Sequence, residues 1–248
     1  MPNNNESTGI AAEVAIAKTY NVNINSDYAT RADSKIVRFL LESGCIPKIF
    51  ENNHIPAPMS HIAENQNPVD FVLCNGQTLS VKTNKKALNR QAPQNIGQPT
   101  SKTFFDYIES NEIVDFKITD YLKSHRLEDN YANRSKAFKY IILNHIVELI
   151  QMYWENLFDC DYWLCLYNLT TFKDPMSNHL VLRKSASSPF VNLNSFSFTQ
   201  DEQSWNESNT VKYCGVSIGN FQTHNNRDCF KFRFNVNNLI KLKNQGII

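Results

Sequence analysis

Two strand-like segments, residues 69–74 and 78–82, constrain the fold of this chain more than any other feature of its sequence. Both are rich in residues that favour strands, and the Asn-Gly dipeptide between them is a strong hairpin signal. The first segment contains Asp70 and the second ends on Lys82. Because burying an unpaired charge is costly, the two charges are expected to have a partner or a function in common.

The length of the turn decides whether these charges can meet. Side chains alternate between the two faces of a strand, so Ser80 and Lys82 share a face. A three-residue loop over 75–77 would pair Asp70 with Lys82 and bring all three side chains to one face. A two-residue Asn-Gly turn would pair Asp70 with Val81 and place Asp70 on the opposite face. We expect the longer turn or a bulge.

Hydrophobic periodicity predicts the other elements. Helices are predicted from about residue 9 to 20, from 33 to 43 with Gly44 at the end, and from 136 to 158. Strands are predicted at 161–167, 179–183, 211–218 and 229–235. The remaining segments are predicted to be irregular: 45–67 with at most one short strand, 83–103 as a long exposed loop, 185–209 as surface, and 221–227 as a turn.

This order of elements predicts an α/β fold with a mixed central β-sheet flanked by helices. The 248 residues permit one large domain, so we expect a single domain over 1–248 with recognition elements as insertions. Hydrophobic residues make up 42% and charged residues 20%, which argues against a disordered chain.

Several sequence features bear on where the protein acts. No apolar run approaches the roughly 20 residues that span a bilayer. Residues 1–7 lack the basic and apolar regions of a secretory signal. The six cysteines show no zinc-ligand spacing. We therefore expect a protein of the reducing cytoplasm with no membrane partner.

The charged hairpin suggests a metal-dependent hydrolase. A carboxylate and backbone carbonyls are ligands for a hard divalent cation, and a lysine beside them can orient water or stabilise developing negative charge. That combination suits phosphodiester hydrolysis, in which a metal polarises the phosphoryl oxygen and activates water.

A basic segment follows the hairpin. No acidic residue occurs between residues 71 and 105, where cationic and amide side chains alternate: Lys82, Lys85, Lys86, Arg90 and Lys102 with Gln91, Gln94, Asn95 and Gln98. Cations of this kind can neutralise phosphates, and amides can read adenine edges. The alternative is a solvated loop with an accidental charge bias.

The segment 221–227 is a second candidate for DNA contact. It places Gln222, His224, Asn225 and Arg227 between two predicted strands. A plain hairpin loop is the alternative. The following residues, 231–235, alternate basic and aromatic side chains, as expected of a half-buried strand with a basic face.

The hairpin residues resemble the PD-(D/E)xK nuclease superfamily, in particular its type II restriction endonucleases. The resemblance covers residues 8–105 and implies that Asp70 is a metal ligand and Lys82 the lysine of the motif. The sequence Gly-Ile-Ala-Ala-Glu-Val-Ala at 9–15 is similar to the first helix of many such nucleases, which makes Glu13 a second metal ligand. By this resemblance the catalytic core is at about 8–110 and has a restriction-endonuclease-like fold, with recognition elements at about 83–103 and 185–235.

Ser80 departs from the family pattern, because it occupies the position of the motif's second acid. A serine there would contribute at most a water-mediated contact to the metal. The missing acid would have to come from elsewhere: the candidates are Glu13, which we prefer, Glu64, Asp106 and Glu109.

The function implied is Mg2+-dependent hydrolysis of double-stranded DNA at a short specific sequence, leaving a 5′-phosphate. A palindromic site matches twofold protein symmetry, so we expect a homodimer. Two alternatives stay open: a structure-selective repair or recombination nuclease, and a DNA-binding domain that has lost catalysis.

Overall fold

The computed structural model describes residues 5–63, 67–86, 90–93, 96–157, 159–184 and 188–247. The candidate residues Glu64, Gln94 and Asn95 lie outside these ranges. The chain divides into two compact units, the first formed by Met1–Leu88 and Phe158–Ser185 and the second by Asn89–Leu157 and Ala186–Ile248.

The elements follow in chain order. They are α1 (Asn5–Thr19), α2 (Ser26–Thr30), α3 (Ser34–Glu42), α4 (Cys45–Asn52), β1 (Pro58–His61), β2 (Phe71–Leu73), β3 (Thr78–Thr83), β4 (Arg90–Gln91), α5 (Ser101–Ser110), α6 (Ile118–Ser124), α7 (Tyr131–Asn144), α8 (Ile146–Leu157), β5 (Tyr162–Leu166), β6 (His179–Arg183), β7 (Phe196–Phe198), β8 (Ser208–Tyr213), β9 (Val216–His224), β10 (Cys229–Asn235) and α9 (Val236–Asn244).

The first unit contains a mixed five-stranded sheet in the order β1-β2-β3-β5-β6. Its β3–β5 pair is parallel and its other pairs are antiparallel. Every residue of β5 is buried, as expected of a parallel strand covered on both faces. Helix α1 packs against β3 and α3, and its residues 11–17 are buried on all sides. The small alanines in this stretch allow that close packing.

The second unit contains an antiparallel sheet in the order β4-β10-β9-β8-β7. One face packs against helices through aromatic rings: Phe230 stacks on Phe138 of α7 at 4.1 Å between centroids, and Phe232 on Tyr153 of α8 at 4.4 Å. Because strand residues alternate, the residues between these phenylalanines belong to the opposite face. The predicted α/β class with a mixed sheet flanked by helices is confirmed, but the strands form two sheets rather than a single central one.

Several element predictions are confirmed. Helices α1 and α3, strands β5 and β6, and strand β10 occur where periodicity placed them, within a few residues. Helix α3 begins after Asp33, whose side chain accepts hydrogen bonds from the first-turn amides of Lys35 and Ile36.

Other predictions are wrong, for local physical reasons. The segment 45–67 was predicted to be irregular but contains helix α4. Its Pro47 falls in the first turn of the helix, where a proline is tolerated, so this proline did not exclude a helix. The predicted helix at 136–158 is two helices, since the chain leaves helical geometry at His145 (φ −131°, ψ 40°).

The C-terminal strands also differ from prediction. Cys214 and Gly215, with φ of 48° and 77°, form a two-residue turn that divides the predicted strand 211–218. Strand β9 continues to His224, so only 225–227 is a turn. The predicted loop at 83–103 includes β4 and the buried Ile96. In the described ranges, no helix is both long and apolar enough to cross a membrane.

Candidate functional site

The hairpin turn has the predicted length but begins one residue earlier than predicted. The amide of Leu73 donates to the Gln77 carbonyl at 2.7 Å, and that of Gly76 donates to the Leu73 carbonyl at 2.9 Å. The three loop residues are therefore 74–76, and Gly76 takes the left-handed conformation that such a turn requires (φ 83°).

The register that follows from this turn brings the charged residues together. Strands β2 and β3 pair Phe71 with Leu79, so Asp70 lies across from Ser80 rather than Lys82, and the predicted pairing partner is wrong. The predicted and the observed register differ by two residues. Because side chains alternate with a period of two, each side chain stays on the predicted face of the sheet. The Lys82 Nζ atom lies 3.8 Å from Asp70 Oδ2, which confirms that the two side chains share a face.

Asp70 is buried, with 6% of its surface exposed. Its Oδ2 atom accepts a hydrogen bond of 2.5 Å from the Val81 amide and lies 3.2 Å from the Ser80 hydroxyl. The Ser80 hydroxyl is also 3.0 Å from the Pro68 carbonyl, and its single proton can serve one acceptor at a time. Ser80 therefore supports the position of Asp70.

The pKa of the Asp70 carboxyl is raised from 3.8 to about 6. Burial is the main cause, because it disfavours the charged form. The ammonium of Lys82 acts in the opposite direction and lowers the pKa, whereas the charge of Glu13 raises it. Ionised Asp70 therefore destabilises the fold above about pH 6 unless a further positive charge approaches it.

Glu13 is held in place by two residues that the sequence analysis did not single out. It is buried in α1, and its Oε2 atom accepts a hydrogen bond from the Tyr28 hydroxyl at 2.9 Å and lies 2.8 Å from His61 Nε2. The His61 ring is itself buried, with its centroid 5.2 Å from that of Tyr28 and 5.1 Å from that of Phe71. A buried carboxylate needs hydrogen-bond donors, so partners for Glu13 could have been expected from the sequence. That requirement does not identify which residues supply the donors.

Of the other candidates for the missing acid, two belong to the second unit and one lies outside the described residues. Asp106 and Glu109 belong to α5 in the second unit, and Glu109 Oε1 accepts a hydrogen bond from the Ile118 amide at 2.8 Å. Glu64 lies outside the described residues. Glu13 is thus the candidate acid whose charge acts on Asp70.

The site offers the carboxylate oxygens of Asp70 and Glu13, which are donor atoms of the kind that a hard cation prefers. Among the described residues, no group of three or more His, Cys, Asp or Glu side chains could hold a metal ion. Mg2+, however, is commonly bound by only one or two protein carboxylates, with waters and substrate phosphates completing its shell. Cys160 lies near enough for Asp70 and Lys82 to affect its thiol, but burial raises its pKa to about 12, so it remains protonated and is a poor ligand.

The predicted DNA-contacting residues fall in both units. Lys85 and Lys86 follow β3, and their carbonyl groups accept hydrogen bonds from the amides of Thr170 and Asn168. In the second unit, Gln98 and Lys102 are exposed, and Gln98 Nε2 lies 3.9 Å from Cys229 Sγ.

Three other predicted residues meet on one sheet face. Gln222 and His224 on β9 and Arg90 on β4 have the same facing as Lys231 and Arg233 on β10, because the register pairs Gln222 with Lys231, His224 with Cys229 and Arg90 with Asn235. We call these five residues the basic face: Arg90, Gln222, His224, Lys231 and Arg233. Arg227 is exposed in the turn that begins at Asn225, next to this face in the chain.

Comparison with known proteins finds a similar enzyme. The chain is 28% identical over 186 residues to the type II restriction enzyme CviAII of Paramecium bursaria Chlorella virus 1. The matched region covers 74% of this chain and 46% of that enzyme, so the chain spans about half the length of the relative. No protein-family model matches the chain, and no solved structure matches it.

Proposed function

We propose that this chain is a type II restriction endonuclease that hydrolyses phosphodiester bonds in double-stranded DNA with Mg2+. The observation that carries the proposal is the pairing of buried Asp70 with half-buried Lys82, 3.8 Å apart, with the charge of Glu13 close enough to raise the pKa of Asp70. The similarity to CviAII supports the same activity. We also propose a core of the PD-(D/E)xK type, cleavage at a short specific sequence leaving a 5′-phosphate, and a homodimer.

Each residue has a role in this proposal. Asp70 and Glu13 would hold Mg2+, which supplies a Lewis acid at the phosphoryl group. Lys82 would orient the attacking water or stabilise the charge that develops on the phosphate. Ser80 would support Asp70 through the contact at 3.2 Å. Tyr28 and His61 would orient Glu13, as residues behind a metal ligand commonly do.

Cleavage of supercoiled plasmid tests the proposal. Purified protein should nick or linearise the plasmid with Mg2+ and leave it intact in EDTA. Asp70→Asn should abolish cleavage, whereas Asp174→Asn, a substitution of an exposed carboxylate in the same unit, should not. No cleavage by the parent, or equal cleavage by parent and Asp70→Asn, would refute it.

The substrate distinguishes a restriction enzyme from a structure-selective nuclease. Unmethylated genomic DNA should give discrete bands if cleavage depends on sequence. A requirement for branched DNA would instead favour repair or recombination.

Ser80 favours a second candidate, a DNA-binding protein without catalysis. Its hydroxyl is engaged with Asp70 and Pro68, so it offers the metal no carboxylate. Calorimetric titration of Mg2+ into the parent and Asp70→Asn would decide. Binding lost in the variant supports the metal site, and no binding by either protein supports the second candidate.

A further inference from the structure

The basic face has a different character from the opposite face of the same sheet. The opposite face is covered in β9 and β10, where Phe221, Phe230, Phe232 and Phe234 are all buried against the unit's core. The side chains of the basic face alternate with these phenylalanines and are half-buried, apart from Arg90, which is exposed. An antiparallel sheet can keep one face accessible in this way.

The central cations of the basic face are not neutralised within the protein. Within the described residues, Lys231 and Arg233 form no salt bridge or side-chain hydrogen bond. Half-buried cations without a counter-ion are unfavourable, since burial removes water from the charge and no carboxylate replaces it. Such a pair indicates that a negatively charged partner is supplied from outside.

Electrostatics across the face lead to the same conclusion. The pKa of Lys231 is lowered by burial and then by the nearby guanidinium of Arg233. The pKa of His224 is lowered by burial and by the cations of Lys231, Arg227 and Arg233, while Glu207 acts in the opposite direction. These groups therefore repel one another, and an anion shared among them would relieve the repulsion.

Neutral side chains suited to nucleic acid lie among the cations. The amide of Gln222, directly opposite Lys231, has no hydrogen-bond partner among the described residues. The buried His224 Nε2 atom is likewise without a partner there. An amide that lies between cations is typical of a surface that follows DNA, and sheets are known to bind in its grooves.

We infer that the basic face is a binding surface for the phosphate backbone of duplex DNA, with Lys231 and Arg233 as its main cations. The inference rests on the proposed function for its substrate, but it assigns binding to the second unit and chemistry to Asp70 and Lys82 in the first. Neither Lys231 nor Arg233 takes part in the hydrolysis proposed above.

The salt dependence of DNA binding tests this assignment. Binding of a fluorescein-labelled duplex is measured by anisotropy over a range of NaCl concentrations, in EDTA so that no cleavage occurs. Each phosphate contact contributes about 0.9 to the slope of log K against log salt concentration. The double variant Lys231→Gln/Arg233→Gln should therefore lower the slope by about 1.8.

A matched control separates this effect from loss of net charge. Lys117→Gln/Lys123→Gln removes the same charge from exposed positions at α6 and should leave the slope unchanged. Thermal unfolding of each variant shows that it is folded. A parental slope in Lys231→Gln/Arg233→Gln, or an equal decrease in both double variants, would overturn the inference.

Cleavage measured separately distinguishes the inference from the proposed function. Lys231→Gln/Arg233→Gln should require a higher plasmid concentration than the parent for half-maximal cleavage. If the parent binds DNA with the expected salt slope but does not cut it, the nuclease proposal fails and the inference about the basic face stands. If the parent cuts DNA and Lys231→Gln/Arg233→Gln leaves the salt slope unchanged, the inference about the basic face is wrong and the nuclease proposal stands.

Discussion

Replacing Asp70 by asparagine should stabilise the protein increasingly as the pH rises. Raising the pKa of this carboxyl from 3.8 to about 6 means that its ionisation costs about 3 kcal/mol more in the folded chain than in the unfolded chain. Stability linked to this group is fully present below the unfolded pKa and is lost as the pH rises through the folded pKa. Asparagine avoids that loss and can still accept the hydrogen bond from Val81.

The magnitude follows from the two pKa values. Between about pH 4.5 and about pH 8, the free energy of unfolding of Asp70→Asn relative to the parent should rise by ~2 kcal/mol, most of it below about pH 6.5. The attraction between ionised Asp70 and Lys82 is already included in the pKa of about 6, so its loss in the variant adds no further pH dependence. Urea unfolding in EDTA at several pH values measures the difference directly.

A control with the opposite sign makes the test strict. The pKa of Asp174 is lowered by hydrogen bonds from the Met176 amide and the Ser177 hydroxyl. Its contribution to stability is present above the unfolded pKa and is lost as the pH falls, so Asp174→Asn should lose stability relative to the parent as the pH rises. If the difference between Asp70→Asn and the parent is the same at every pH, burial does not govern the ionisation of Asp70.

Three further predictions address the site and its supports. Lys82→Met should slow plasmid cleavage by about 100-fold or more while circular dichroism stays parental, because one positioned charge is removed; a parental rate would exclude Lys82 from the chemistry. Tyr28→Phe removes a hydrogen bond to Glu13 and should lower the free energy of unfolding in urea by about 1 kcal/mol. It should also raise the Mg2+ concentration needed for half-maximal cleavage, and an unchanged Mg2+ dependence would argue against an orienting role. Gly76→Ala should destabilise the hairpin by roughly 1–2 kcal/mol, since φ is 83° there. Gly9→Ala in α1, where a new Cβ would lie 3.8 Å from Thr83 Oγ1, should instead stabilise by ~0.5–1 kcal/mol, and equal effects of the two glycine variants would contradict the backbone argument.

The parts of the site that could be predicted from the sequence are those fixed by local geometry. The Asn-Gly turn and the alternation of side chains place Asp70 and Lys82 on one face, even though the exact register differs by two residues. Glu13 was identified because residues 9–15 resemble the first helix of many PD-(D/E)xK nucleases. The positions of these side chains follow the expectation, and their catalytic and metal-binding roles stay predictions.

The parts that could not be predicted depend on contacts between distant segments. Tyr28 and His61 approach Glu13 from elements that are 15 and 48 residues away along the chain. His61 lies in β1, within a segment that was predicted as a loop with at most one short strand. The division at His145 has no glycine or proline to mark it. Hydrophobic periodicity reports which face of an element is buried, and it does not report the neighbour that buries it.

The parallel partner of β3 has a consequence for synthesis on the ribosome. The Thr78 hydroxyl and amide both donate to Asp161, 83 residues later, at the start of β5. Until that strand is translated, β3 presents an unpaired edge, and the intervening residues 89–157 belong to the other unit. The strand that carries Lys82 therefore gains its second neighbour only after residues 162–166 have been synthesised, and we expect this long-range pairing to form more slowly than the β2–β3 hairpin.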